Sequence, residues 1–172
     1  DHYYGKTGWK AITIRSLSIG QGELLVTPLQ LANQAAAIAN EGYFITPHLN
    51  RNDSMKAEKH ILPIEKKHFE IVKEGMHHVM VYGTGRHYPI DGVETCGKTG
   101  TAQNPHGKDH AIFIGFAPMD SPQIAVAVIV ENAGFGATWA APVASLMMEQ
   151  YITGGIKHTD LKKRISNAVL TK

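Results

Sequence analysis

Two apolar segments, His110–Ala117 and 123–131, joined by Pro118-Met119-Asp120-Ser121-Pro122, constrain this chain more than any other feature. The second is an almost unbroken run of β-branched residues and alanine, of strand rather than membrane-spanning length. The connector is turn chemistry, with proline at both ends and Asp and Ser between. Together they predict an antiparallel hairpin, with Ile112 and Ile114 on one face and Phe113 on the other. The run 123–131 is expected to be buried on both faces. A connection containing Pro105 and Gly107 leads back to a third segment, 95–102. That segment is predicted to pair antiparallel with 110–117 and to leave Lys98 to Thr101 on an exposed edge.

Helical signals flank the sheet. Thr27 is an N-cap, Pro28 suits the first helical position, and Gln30 completes a Thr-x-x-Gln capping box. Leu31, Ala35 and Ile38 recur at helical spacing, and Gly42 is expected to stop this helix. Its three consecutive alanines, 35–37, allow a neighbour to approach closely. A second helix is predicted over 64–82, with Phe69, Val72, Met76 and Val79 as its apolar stripe and Gly83-Thr84-Gly85 as its end. Gly75 inside it costs about 1 kcal/mol relative to Ala, which predicts close packing there. A last helix is predicted over 141–152, with Pro142 in its first turn and Val143, Met147 and Tyr151 as its apolar face. The opening, 1–22, carries Ile12, Ile14, Leu17 and Ile19 at spacings that fit strand or short helix. Residues 47–63 read as a polar excursion.

At 172 residues, 43% hydrophobic and 19% charged, the chain has the composition of one globular domain. Residues 1–156 are read as its core and 157–172 as a basic tail centred on Lys162-Lys163-Arg164, expected to be a solvated terminal helix or a frayed end. A net charge of +2 is too small to argue for nucleic acid, and none is expected as a partner. A single cysteine, Cys96, excludes an internal disulfide and a cysteine metal cluster. The ten histidines contain no His-Glu-x-x-His, and His77 and His78 diverge by about 100° on a helix. No metal site is predicted. Cys96 itself is read as a small buried residue, since no partner base is identifiable.

Within the predicted edge stands Cys96-Gly97-Lys98-Thr99-Gly100-Thr101-Ala102-Gln103. Lys-Thr-Gly also occurs at Lys6-Thr7-Gly8, where no strand pattern surrounds it, and that copy is read as coincidence. Residues 92–99 satisfy Gly-x4-Gly-Lys-Thr, the phosphate loop of nucleotide hydrolases. That loop must join a buried strand to a helix that receives the phosphates. Upstream, 85–91 is no core strand, and Gly100, Pro105 and Gly107 oppose a helix from Lys98. The phosphate-loop reading is therefore set aside as the weaker alternative.

The second Lys-Thr-Gly, continuing as Gly-Thr-Ala-Gln into a hairpin, resembles the third active-site motif of the penicillin-recognising serine enzymes. The likeness extends along the chain. Ser18-Ile19-Gly20-Gln21-Gly22-Glu23 followed by Thr27-Pro28-Leu29-Gln30-Leu31-Ala32 resembles class B penicillin-binding proteins, in the form of their elongation-type members. Ala39-Asn40-Glu41-Gly42, Pro47-His48-Leu49, Gly83-Thr84-Gly85, Phe113-Ile114-Gly115-Phe116-Ala117-Pro118, Val130-Glu131-Asn132 and Ala140-Ala141-Pro142 follow in the family's order. Gly20 and Gly22 read as turn formers, Trp139 as packing, and His110 as a surface or hydrogen-bonded histidine.

The resemblance implies an α/β (α+β) transpeptidase fold, an antiparallel sheet covered by helices, of which this chain holds the C-terminal portion. Lys98 would attract the carboxylate of a substrate or antibiotic, and Thr99 would hydrogen-bond to it. Gly100 would let ligand and backbone approach closely. Thr101 would offer its backbone N–H as half of an oxyanion hole. The nucleophile is absent. Three residues beyond Ser16, Ser18, Ser54, Ser121, Ser145 and Ser166 stand Ile19, Gln21, Ala57, Ile124, Met148 and Val169, never lysine. The expectation is therefore the C-terminal part of a larger D,D-transpeptidase that needs no cofactor and is inactive in isolation. The intact enzyme would act on peptidoglycan stem peptides, react with β-lactams, sit on the periplasmic side of the inner membrane and cooperate with a membrane-embedded glycan polymerase. The fragment would self-associate through an uncovered sheet edge. Alternatives are a β-lactam sensor of the same fold and a non-catalytic interaction module.

Overall fold

The structure is a computed structural model that describes residues 8, 10–22, 24–48 and 58–170. Lys6 and Thr7 of the first Lys-Thr-Gly, and 49–57 of the polar excursion, lie outside the described residues. In chain order the elements are α1 (Ala11–Ser18), α2 (Pro28–Ala39), β1 (Tyr43–Ile45), β2 (Lys59–Ile61), α3 (Lys66–Val81), β3 (Cys96–Ala102), β4 (His110–Ala117), β5 (Ile124–Val130), α4 (Ala140–Thr153) and α5 (Thr159–Ser166). Ile12, Ile14 and Leu17 of the opening thus belong to a helix, and Ile19 is its C-cap.

The three predicted strands form one antiparallel sheet in the order β3-β4-β5. Thr99 faces Phe113 and Thr101 faces Ala111 across β3 and β4, and Phe113 faces Val128 across β4 and β5. A strand, not a helix, runs through Lys98, so the phosphate loop is excluded. Phe113, Val126 and Val128 pack against Ala140, Ala141, Ala144 and Met148 of α4. Phe116 and Cys96 pack with Ala39 of α2 and Met76 of α3 in a second cluster, bordered by Ala125 and Ile38. Phe113 and Phe116 are fully buried, worth about 1.5–3 kcal/mol each. β5 has helices on both sides, yet only Val126 and Val128 are fully buried and its other residues are half-buried. The expectation of full burial on both faces was too strong, because α2 presents mainly alanines there.

The capping box of α2 forms as predicted. Gln30 N–H donates to Thr27 Oγ1 at 3.3 Å, and Thr27 N–H donates to Gln30 Oε1 at 2.8 Å. The other end departs from expectation, because Glu41 and not Gly42 takes the first left-handed position after the helix, with φ 57°. Glu41 N–H donates to Ile38 O and Gly42 N–H to Ala37 O, a Schellman closure. Salt bridges to Lys66 at 2.8 Å and to Lys73 at 2.9 Å hold the Glu41 carboxylate and tie the end of α2 to α3. The Lys66 hydrogen bond first, then that from Lys73, keeps the Glu41 carboxyl below the usual carboxylate range. Gly42 is needed for another reason. A Cβ there would stand 3.0 Å from the Phe69 ring.

The faces of two helices are rotated from the predicted stripes. In α3 the buried residues are Phe69, Lys73, Met76 and Met80, while Val72 is exposed. Lys73 takes a core position by burying its stem and placing its amine on Glu41. Gly75 faces open space, so the close packing predicted there does not occur. In α4 the buried face is Ala140, Ala141, Ala144, Ser145, Met148 and Glu149, whereas Met147 and Tyr151 are exposed. Small residues let α4 lie close on the sheet. Glu149 tolerates burial because His158 Nδ1 meets its carboxylate at 2.8 Å. The tail carries α5, whose Leu161 and Ile165 are half-buried and whose Lys162 and Lys163 are exposed.

The displaced stripe lines a groove of about 430 Å³ between Ile124, Val143, Met147, Tyr151, Ile156 and Ile165. Among the described residues β5 pairs only with β4, and its first residue, Ile124, lines this groove. Unpaired strand groups next to apolar surface template pairing with another chain. The 172-residue chain is therefore expected to self-associate in sedimentation experiments, with a mass that rises with concentration. A monomer at every concentration, with slowly exchanging amides over 124–130, would refute this.

Candidate functional site

The predicted edge is built by β3. Its inner side pairs with β4, and among the described residues its outer side meets no strand. Alternate residues of a strand direct N–H and C=O to opposite sides. The Gln21 side-chain amide marks which residues face outward. Its Nε2 donates to Thr101 O at 3.1 Å, and Gln103 N–H donates to its Oε1 at 3.4 Å. Thr101, and Thr99 two residues before it, therefore turn their backbone groups to the open edge. That side is where an oxyanion donor at Thr101 must point.

Lys98 is exposed, and its Nζ donates to Thr99 O at 2.7 Å, so the cation lies along the edge rather than away from it. The Thr99 hydroxyl is 2.6 Å from the hydroxyl of Thr84. With Thr84 as donor, the Thr99 proton remains for a bound carboxylate. The four predicted site residues, Lys98, Thr99, Gly100 and Thr101, thus share one strand edge. At Gly100 a Cβ would stand 3.3 Å from Ile112 Cβ, so β4 bounds the position on that face.

Three residues near the site escaped the sequence reading as site residues. Thr84 entered it only as part of the Gly-Thr-Gly that ends a helix, and Gln21 only as part of a glycine-rich turn. Gly136 is the third. It lies against the β3–β4 ladder, where a Cβ would stand 2.3 Å from the carbonyl oxygens of both Gly100 and Ile112. Its own carbonyl accepts from Ala140 N–H and Ala141 N–H, so the start of α4 holds it there.

The remaining candidates behave as packing. Cys96 is fully buried, and burial pushes its thiol up to about 12, which makes it a poor nucleophile. His110 Nδ1 accepts from Asn132 N–H at 3.1 Å, so a neutral ring carries its proton on Nε2. Trp139 packs against the main core. Gly20 and Gly22 take φ of 74° and 85°, as turn formers do. Beyond Thr101 the edge opens into a cleft of about 820 Å³, lined by Gln21, Leu24, Leu25, Gln103, Pro105 and His110. The cleft adjoins the far end of the edge, not Lys98 and Thr99.

Comparison with known proteins gives one consistent answer. Residues 2–149 match the penicillin binding protein transpeptidase domain. The chain is 34% identical over 174 residues to the peptidoglycan D,D-transpeptidase MrdA of Haemophilus influenzae, covering 86% of this chain and 27% of that protein. The crystal structure of Pseudomonas aeruginosa PBP2 in complex with WCK 5153 superposes with a TM-score of 0.75 at 36% identity, over 90% of this chain and 36% of that one. The ceftriaxone acyl-enzyme of penicillin-binding protein A from Mycobacterium tuberculosis superposes with a TM-score of 0.68 at 30% identity, over 76% of this chain and 33% of that one. The chain spans about a quarter of the length of the curated relatives it matches. The antiparallel sheet, its helical layers and these matches agree: the chain belongs to the penicillin-binding protein transpeptidase domain family.

Proposed function

We propose that this chain is the C-terminal part of the catalytic domain of a serine D,D-transpeptidase that cross-links peptidoglycan and is acylated by β-lactams. One observation carries the reading: Lys98, the Thr99 hydroxyl and the edge-facing backbone of Thr101 line the outer side of β3, whose inner side is fully paired. An extended stem peptide adds to such an edge as a further strand. Its terminal carboxylate replaces the Thr99 carbonyl as the partner of Lys98 Nζ and accepts from Thr99 Oγ1. Its scissile carbonyl oxygen then lies at Thr101 N–H, which strengthens its bond as that oxygen gains charge. A serine from outside this chain supplies the nucleophile and the second oxyanion donor. D-alanine leaves, and an amine of a second stem peptide takes the acyl group. A β-lactam opens its ring on the same serine. The reading places the enzyme on the periplasmic side of the inner membrane, beside a membrane-embedded glycan polymerase. A β-lactam sensor would share the carboxylate anchor but would transfer no acyl group to an amine.

The test is Thr99→Val in the intact enzyme, with acylation by penicillin followed in time. The swap keeps side-chain shape and removes one hydroxyl aimed at a carboxylate. A hydrogen bond to a charged group is worth about 1.5–3 kcal/mol, so acylation is expected to slow roughly ten- to a hundredfold without loss of thermal stability. Unchanged kinetics would remove Thr99 from the site.

A further inference from the structure

Gln21 stands eighty residues from Thr101 in sequence yet holds both neighbours of Ala102 on the open side of β3. Its position is built, not incidental. Gly20, with φ 74°, closes α1 by donating its N–H to Leu17 O at 3.0 Å, and Gln21 N–H donates to Ser16 O at 3.0 Å. These two bonds are the Schellman pattern. They fix the Gln21 backbone against the helix and leave its side chain to reach β3. The contact requires a group that donates to a carbonyl and accepts from an N–H two residues on. A primary amide does both from one plane. Asparagine offers the same atoms one methylene short, and a carboxylate turns an acceptor toward the Thr101 carbonyl.

We propose that Gln21 is a positioning residue for the acylation step: its amide ends the open edge at Thr101 and Gln103 and, by holding the Thr101 carbonyl, steadies the backbone on the far side of the Thr101 Cα from the N–H that meets the oxyanion. This rests on the transpeptidase reading above. Thr101 O lies in the peptide plane that follows the Thr101 Cα and Thr101 N–H in the plane that precedes it, so holding the first restricts the two dihedrals that join them, and both groups face the same side. A donor aimed before the reaction needs no reorganisation when charge develops. The same contact limits where an added strand can pair, because the edge groups beyond Thr101 are already taken. Lys98 and Thr99, which anchor the carboxylate, do not touch Gln21. Its loss therefore falls on the bond-forming step and not on initial binding.

The experiment measures penicillin acylation of the intact enzyme, resolving the dissociation constant of the first complex from the acylation rate. Gln21→Met keeps length and removes both polar atoms. It is expected to lower the acylation rate about tenfold while the dissociation constant stays within about twofold. Gln21→Glu is expected to show the same defect at neutral pH. Relative to wild type it should recover as pH falls into the carboxylate range, because a protonated carboxyl regains a donor beside its acceptor. A purely structural role gives no such pH profile, and the Glu variant still decides the matter if the Met variant fails to fold. An acylation rate for Gln21→Met equal to wild type, or a Gln21→Glu defect that does not change with pH, overturns the inference. Absence of label on the wild-type enzyme overturns the transpeptidase reading instead.

Discussion

Incubated with a fluorescent penicillin and then denatured, the 172-residue chain by itself is expected to carry no label. Acylation needs a nucleophile, a base that activates it and two oxyanion donors. Under the proposed function the chain supplies one donor, at Thr101, and a carboxylate anchor at Lys98 and Thr99. Its described serines are spent on other work or lack a partner. Ser145 is buried and donates to Tyr88 O at 3.0 Å, and Ser18 donates to Arg15 O at 2.8 Å. Ser16 lines the cleft beside Gln21, but Ile19 stands where an activating lysine would be. The proposed function allows weak reversible binding at the edge and expects no covalent bond. Stoichiometric label on any serine, Ser16 first among them, would show that the site is complete without a nucleophile from elsewhere.

Gly136→Ala in the intact enzyme is expected to lose about two orders of magnitude in acylation rate, since a misplacement of about 1 Å costs roughly a hundredfold. The added methyl would meet two backbone oxygens at 2.3 Å, and neither can rotate away as a side chain could. Either the 134–139 loop lifts from the sheet or β3 shifts at Gly100, between Thr99 and Thr101. The first disturbs the start of α4 through Ala140 and Ala141; the second moves the site directly. Overpacking of this kind costs about 1–3 kcal/mol, so thermal stability should fall too. Wild-type acylation by a stable Gly136→Ala enzyme would show that the loop can move without consequence for the edge.

The parts of the fold that could be read from residues alone were those with local causes. Thr27, Pro28 and Gln30 cap α2 within one turn of chain. Pro118 to Pro122 turn β4 into β5, and alternation across Ile112, Phe113 and Ile114 sets the faces. The site motif was legible because Lys98 to Thr101 are consecutive. The misread face of α4 has a physical reason. Ala140, Ala141 and Ala144 bury little area each but let the helix approach the sheet closely, and large side chains dominate a stripe read from sequence. Lys73 and Glu149 were hidden for the complementary reason, as each is buried only because a partner distant in sequence, Glu41 or His158, receives it. Thr84 on Thr99 and Gln21 on Thr101 also join distant segments. No local pattern announces such pairs.

The outer side of β3 also bears on which strand edge is open to a second copy of the protein. A strand edge is ordinarily guarded by proline, by a bulge or by a covering loop. Under the proposed function none of these is open to this edge, since each would block the guest peptide along with the intruder. What remains is charge and brevity. Lys98 sets a cation on the stretch where a second copy would dock, and two such edges in contact would bring like charges together. Gln21 leaves only a few backbone groups unclaimed, too few for a stable ladder between whole proteins but enough for a short peptide fixed at its carboxylate. Under the proposed function, the residues that recruit the guest are thus the same ones that keep a second copy off this edge.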